Sequence, residues 1–238
     1  MRTLEPWLDG ISRQQTNEPV TVLPPDPATT LLWRVTAAGA SDVLVIGPRT
    51  KASYPTPKSL PVCVRLRIRP GRATALLGVA ADELADQVIP LADLIGPSAD
   101  RLGERLGLLR DEPQRGIDVL GDYLLARLPE RLPTRYELVG AAVQELAGGT
   151  STAATADHLG VSERYLRRVF RQAVGVSPKH FARISRVRDV IGRQRSSWSV
   201  TAAETGYADQ SHLIADFRSL MGVTPTAFAA GRVPVTAC

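Results

Sequence analysis

The sequence predicts an α+β N-terminal domain followed by an all-α domain built from two tandem helix-turn-helix motifs. Three observations predict it. Residues 156–181 and 202–228 are two copies of one pattern. The chain's net positive charge is confined to the part that holds those copies. A stretch of strict apolar–polar alternation, residues 62–69, lies in the other part.

The first copy reads Ala156-x-x-x-Gly160, then Leu166, Phe170, Gly175, Pro178 and Phe181; the second reads Ala202-x-x-x-Gly206, then Leu213, Phe217, Gly222, Pro225 and Phe228. The offset is 46 residues at the Ala and Gly and 47 at every later position, so one residue is inserted beside Tyr207. Two copies are too few for a helical solenoid. Each copy instead runs helix, Gly-containing turn, helix, the layout that places a helix in the major groove of DNA.

In the first half, short strands are expected at 19–23, 30–36 and 42–47, rich in β-branched residues. Pro48, Pro55, Pro57 and Pro61 mark residues 48–61 as a loop. In 62–69, Val62, Val64, Leu66 and Ile68 alternate with Cys63, Arg65, Arg67 and Arg69, which predicts a half-buried strand ended by Pro70-Gly71. Short helices are expected at 72–77 and 81–86, longer ones at 98–109 and 114–128. Pro129 and Pro133 then punctuate the chain. The division expected is therefore an α+β unit at 1–97, a helical linker at 98–133 and a DNA-binding unit at 134–232.

From 135 onward the expected elements are helical. A supporting helix at 135–147 ends at Gly148-Gly149. The first motif, about 152–173, has helices at 152–159 and 163–173, with Gly160 for the left-handed turn and Ser162 as N-cap. Leu166, Val169, Phe170 and Ala173 recur at helical spacing and face a core, which turns Arg164, Arg167, Arg168 and Arg171 outward. A helix from Pro178 to about Gln194 is long enough to space the two motifs; at about 1.5 Å per residue it spans somewhat over 20 Å. The second motif, about 199–220, repeats the plan with a first helix at 201–205, Gly206 as the turn and Asp209 as the cap. Gln210, Ser211, Ile214, Ala215 and Arg218 are on its outward side.

The charge is partitioned. Residues 1–133 hold 16 basic and 16 acidic side chains, whereas 134–238 hold 13 and 8, which is the whole excess of +5. Residues 163–195 alone hold 10 basic and 2 acidic; residues 196–231 hold Arg218 against Glu204, Asp209 and Asp216. A basic field concentrated on the first motif favours phosphate, so that motif is expected to supply most of the affinity and salt dependence.

The segments Gly160-Val-Ser-Glu-Arg-Tyr-Leu-Arg-Arg-Val-Phe170, Gly175-Val-Ser-Pro178, Gly206-Tyr-Ala-Asp-Gln-Ser-His-Leu213 and Gly222-Val-Thr-Pro225 resemble the AraC/XylS family of bacterial transcription regulators, over residues 134–231. The resemblance implies a homeodomain-like fold with two motifs joined by a long helix and reading adjacent major grooves. It places base-reading positions on Arg164, Arg167 and Arg168, and on Gln210, Ser211, Ile214 and Ala215. Many members carry Arg where this chain has Ala215, so a methyl replaces a base-reading cation. Pro24-Pro-Asp26, Val45-Ile-Gly-Pro48, Arg67-Ile-Arg-Pro-Gly71, Leu76-Leu-Gly-Val79 and Ile89-Pro-Leu-Ala-Asp-Leu-Ile-Gly96 are similar to an N-terminal domain found on some actinobacterial members. That domain usually has Asp-Gly-Cys where this chain has Asp26-Pro27-Ala28. In the wider family the non-DNA domain binds an effector or mediates dimerisation.

The candidate DNA contacts are thus Glu163, Arg164, Tyr165, Arg167, Arg168 and Arg171 in the first motif, and Gln210, Ser211, Ile214, Ala215 and Arg218 in the second. Arg171, Arg186 and Arg188 are expected to be phosphate or intraprotein partners rather than base readers. Arg65, Arg67 and Arg69 line one strand face and are candidates for an anionic effector; solvated or carboxylate-paired arginines are the default. His158, His180 and His212 are one per helix and do not converge as metal ligands must. There is no phosphate-binding Gly loop and no nucleophile elbow, so neither enzymatic activity nor a cofactor is expected. The alternative is a thiol-based sensor or repair enzyme using Cys63, beside arginines that would favour its thiolate. Double-stranded DNA is the expected partner, with RNA polymerase, a small-molecule effector and a second copy of the chain as further candidates. With no apolar run of membrane-spanning length and no signal sequence, the expected location is the cytoplasm.

Overall fold

The computed structural model describes residues 3–13, 22–55, 60–130, 132–193 and 197–234. The first half forms an antiparallel sheet from β1 (Leu8–Arg13), β2 (Thr30–Val35), β3 (Ser41–Ile46), β4 (Val62–Ile68) and β5 (Val88–Pro90) in the order β1-β4-β2-β3-β5. β2 is central, pairing with both β3 and β4; Trp33 stands opposite Val43 on one side and Val64 on the other. Leu31, Trp33, Val35, Val43, Val45, Val64, Leu66 and Ile68 form one face, and it is dry. Three expected strands match β2, β3 and β4 within a residue or two. The one expected at 19–23 lies mostly outside the described residues, and its end, Leu23, makes an isolated bridge to Ser53.

At the start of β4 both faces are buried. Cys63 lies opposite the valines but packs with Leu32 and Leu44 in a second cluster, with Ile46 and Leu60 against it. Arg65 and Arg67 on this second face are half-buried, so the alternation separates a dry face from a partly covered one.

The short helices α1 (Ala73–Leu77) and α2 (Leu91–Ile95) follow the strands, and residues 81–86 form turns instead of the expected helix. α3 (Pro97–Gly107) and α4 (Pro113–Leu125) then cover the sheet. Leu102, Leu106, Leu120 and Leu124 are buried in the same core as Trp33. Gly116 of α4 lies so close to the indole that a Cβ there would sit 2.2 Å from Trp33 Cη2. These helices therefore belong to the N-terminal core, and 98–133 is not a linker: their leucines supply the apolar layer that the dry face of the sheet requires.

The second half is helical. It comprises α5 (Thr134–Ala147), α6 (Thr152–His158), α7 (Glu163–Val174), α8 (Pro178–Gly192), α9 (Trp198–Glu204), α10 (Gln210–Met221) and α11 (Pro225–Ala229). Two cores serve it. Leu166, Phe170, Val174 and Phe181 pack with α5 and α6 residues in one; Ile184, Val187, Val190, Leu213, Phe217 and Leu220 form the other. α8 gives Phe181 to the first core and Ile184, Val187 and Val190 to the second, so it is a shared wall. The repeat survives as geometry: Phe170 meets Phe181 edge-on at 5.4 Å, and Phe217 meets Phe228 at 5.6 Å.

Candidate nucleic-acid interface

α7 starts at Ser162, whose hydroxyl accepts the Tyr165 amide at 3.2 Å. α10 starts at Asp209, whose carboxylate accepts the His212 amide at 2.7 Å. Each helix is entered through a left-handed glycine, Gly160 at φ +64° and Gly206 at φ +73°, and leaves through another, Gly175 or Gly222. A side chain with a Cβ resists that conformation, so the glycines fix where each helix begins and ends.

On α7, Leu166, Val169, Phe170, Ala173 and Val174 are buried, and Arg164, Arg167 and Arg168 are exposed. Arg167 donates to Glu163 at 2.6 Å, and the Arg168 guanidinium lies 5.5 Å from the Tyr165 ring centre. These contacts pre-order two long side chains on the outer turn. Arg164 makes no ion pair among the described residues. Arg171, one turn further on, is paired with Asp82 of the N-terminal domain at 3.3 Å, which draws it away from the other arginines.

On α10, Gln210, Ser211, Ala215 and Arg218 are exposed. Ile214 is half-buried and packs partly on the second core, so it is not wholly outward. The His212 ring stands edge-on to Tyr207 at 5.2 Å. An open cleft of about 790 Å³ is lined by Ser151, Arg167, Lys179, Arg186 and Gly206 together with the carboxylates Glu163, Asp189 and Glu204.

The sequence could not show how much of the basic charge is neutralised internally. Arg183 donates to Asp216 at 2.9 Å, and Arg186 lies 3.7 Å from the same carboxylate. Arg188 lies 3.5 Å from Asp26, and Arg193 donates to Glu204 at 3.1 Å. With Arg171, five of the ten basic side chains in 163–195 face carboxylates outside that segment. Two of those carboxylates, Asp216 and Glu204, are the ones that made the second motif look acidic. A residue count therefore overstates the number of unpaired basic side chains that the first motif presents. Burial pushes the neighbouring Tyr207 phenol up to about 12, so it stays neutral beneath Arg186, whose guanidinium lies 4.8 Å from its ring centre.

The candidate effector arginines are also engaged. Arg67 makes two hydrogen bonds to Asp26, at 3.0 and 2.7 Å, and another to Asp9. Arg69 donates to the Leu8 and Glu5 carbonyls. Arg65 is half-buried beside them. Arg67 thus follows the default of carboxylate pairing, because carboxylates distant in sequence already occupy it. Cys63 is 6% exposed, and burial pushes its thiol up despite Arg65, so its setting does not favour the thiolate that the alternative reading requires.

Residues 155–231 match the sequence profile of a helix-turn-helix domain family. This chain carries a helix-turn-helix domain at residues 155–231. Several solved structures are similar to it. The DNA-binding domain of AdpA, a global transcriptional factor solved with a target DNA, is 24% identical over 41% of this chain and 90% of its own, with a TM-score of 0.36. An AraC-type regulator from Chromobacterium violaceum is 26% identical over 40% of this chain and 92% of its own, with a TM-score of 0.36. ToxT from Vibrio cholerae aligns with 92% of this chain and 95% of its own at 14% identity and a TM-score of 0.44. No curated protein sequence matches the chain. No helix among the described residues is long and apolar enough to cross a membrane.

Proposed function

We propose that this protein is a sequence-specific transcription regulator that sets α7 and α10 into adjacent major grooves of one DNA duplex. The observation that carries the reading is the pair of N-capped helices, related by the repeat and held on the shared helix α8. Arg164 and Arg168 suit bidentate contact with guanine, Gln210 suits adenine, and Ala215 with the exposed part of Ile214 suits a thymine methyl. Glu163 orients Arg167, and Tyr165 supports Arg168. Lys179 and Ser151 border the cleft where the phosphate backbone would pass between the two grooves. Ser211 and Arg218 would reach phosphate or base edges beside Gln210, whereas Arg171 is the weakest member of the set because Asp82 engages it.

The N-terminal domain is the site for effector sensing or pairing with a second copy, RNA polymerase is a candidate partner, and the reading places the protein in the cytoplasm. Selecting bound sequences from random duplex DNA, then measuring Kd against salt, tests the reading. The expected result is a two-box consensus with a salt slope reporting several phosphate contacts. Equal binding to every duplex would overturn sequence specificity, and no binding would overturn the function.

A further inference from the structure

We infer that residues 47–54 of the N-terminal domain form a rigid arm that sets the separation and angle of α7 and α10, so that the N-terminal domain determines which half-site spacing the protein accepts. The inference rests on the DNA-binding reading above. No hydrogen bond or ion pair among the described residues joins α7 directly to α10; the arm reaches both.

Its course can be followed residue by residue. Pro48 packs at Gly175, the left-handed end of α7, where an added Cβ would sit 2.6 Å from Pro48 Cγ and 2.7 Å from the Ala81 carbonyl oxygen. Beside it the Ala81 amide and the Thr74 hydroxyl both donate to the Gln172 carbonyl, at 2.7 and 3.2 Å. Midway, the Thr50 carbonyl lies 3.2 Å from His180 Nε2 on α8. At the far end the Ala52 amide donates to the Leu220 carbonyl at 2.8 Å, and the Tyr54 hydroxyl to the Met221 carbonyl at 2.5 Å. Carbonyls in the last turn of a helix have no partner within it. The N-terminal domain thus supplies donors to the orphan carbonyls of both recognition helices. Fully extended, the seven residues from Pro48 to Tyr54 would span about 20 Å.

The arm is fastened along its length. Arg49 and Asp26 exchange both backbone hydrogen bonds, as do Ser53 and Leu23. Asp86 donates its amide to the Pro48 carbonyl and accepts from the Thr50 amide and hydroxyl, at 2.7 and 2.5 Å. Among the described residues Asp86 is the one non-glycine with positive φ, +58°. Such a conformation persists where its surroundings over-determine it. Arg188 of α8 closes the frame, 3.5 Å from the Asp26 carboxylate and donating to the Pro25 carbonyl at 3.3 Å. Tyr54 and Ala52 are positioning residues that act on DNA through α10.

The test uses the full chain and duplexes carrying its two selected boxes at the native separation, or with one base pair added or removed between them. One base pair shifts a box by about 3.4 Å and turns it by roughly a tenth of a helical turn. The wild type is expected to lose about tenfold or more in affinity on the altered duplexes. Tyr54→Phe removes one donor and leaves the ring; its ratio between native and altered spacing should fall to less than half that of wild type. In the double variant Tyr54→Phe with Ala52→Pro, the ratio should close to within about threefold. A wild type indifferent to spacing overturns the inference while leaving the function intact, and so do variants that weaken all spacings equally or keep the wild-type ratio. Should the double variant lose its helical circular dichroism, Tyr54→Phe alone decides. A wild type that selects no duplex overturns the proposed function itself, and the inference with it.

Discussion

Arg164 is the outward arginine of α7 that neither a carboxylate nor a ring holds among the described residues, and base readout by this protein should be most sensitive to it. Arg164→Ala is expected to cost about 1–3 kcal/mol on the selected operator, with relaxed discrimination at one base position. An equal loss on random DNA in a competition assay would make it a phosphate contact instead. Asp216 behaves in the opposite sense. In sequence it counts as one negative charge of the second motif, yet it is 8% exposed and holds Arg183 and Arg186. Asp216→Ala should destabilise the fold by on the order of 3 kcal/mol, because it strands two guanidinium groups against a core; urea denaturation reads this directly. A signal for it was present: Leu213, Asp216, Phe217 and Leu220 fall on one helical stripe, and an aspartate on an apolar stripe must find a partner. Which partner was not legible, since Arg183 is 33 residues away on another helix. The same holds for Arg67, whose pairing with Asp26 and Asp9 depends on the chain returning to the sheet edge.

At the scale of elements, the C-terminal half was legible because its signals are local. Caps, left-handed glycines and the apolar stripe each act within one or two turns, and α6, α7, α8 and α10 follow them. β1 and β5 left no such trace. β1 is almost wholly exposed and β5 is three residues long; both exist through backbone pairing with β4 and β3. α3 and α4 were seen as helices, but their amphipathic faces did not reveal which surface they cover. The repeat offers two paired predictions. Phe170→Ala and Phe217→Ala should each cost about 3–5 kcal/mol, since both rings are fully buried in equivalent places; wild-type melting with lost DNA binding would refute a core role. Gly175→Ala and Gly222→Ala should differ. Both glycines have positive φ, so each substitution carries a backbone penalty of about 1–2 kcal/mol. Only at Gly175 does the new methyl collide with backbone, whereas Gly222 faces open space. Denaturation midpoints should therefore fall further for Gly175→Ala; identical shifts would mean that the N-terminal domain does not press on α7.

For the whole molecule, the net charge can be read from the sequence, but ion pairs between its halves and between its motifs are invisible to a count. Asp26 concentrates this effect. Burial pushes its carboxyl up, but the hydrogen bonds and charge of Arg67 and the charge of Arg188 outweigh burial and hold it below the usual range. A carboxylate whose pKa is lower in the folded state binds its proton more readily when unfolded, so its contribution to stability is complete above about pH 4 and is lost as pH falls through the folded value. Asp26→Asn should lower stability at neutral pH and flatten its decline below about pH 4; an unchanged acid profile in urea titrations would remove Asp26 from that role. Because Asp26 joins β4, the arm and α8, its protonation loosens both halves together. The arm also bears on whether the parts can be exchanged. Pro133 looks like a natural place to cut and rejoin the chain, and a chimera made there would keep residues 1–133 while receiving a foreign tandem motif. In such a graft the Ala52 and Ala81 amides and the Tyr54 hydroxyl keep partners only where the foreign helices end at the places of Leu220, Gln172 and Met221, and each donor left buried and unmade costs roughly 1–3 kcal/mol. The graft also needs a glycine where Pro48 and Ala81 converge. A foreign motif fits this N-terminal half to the extent that its helix ends fall in those places.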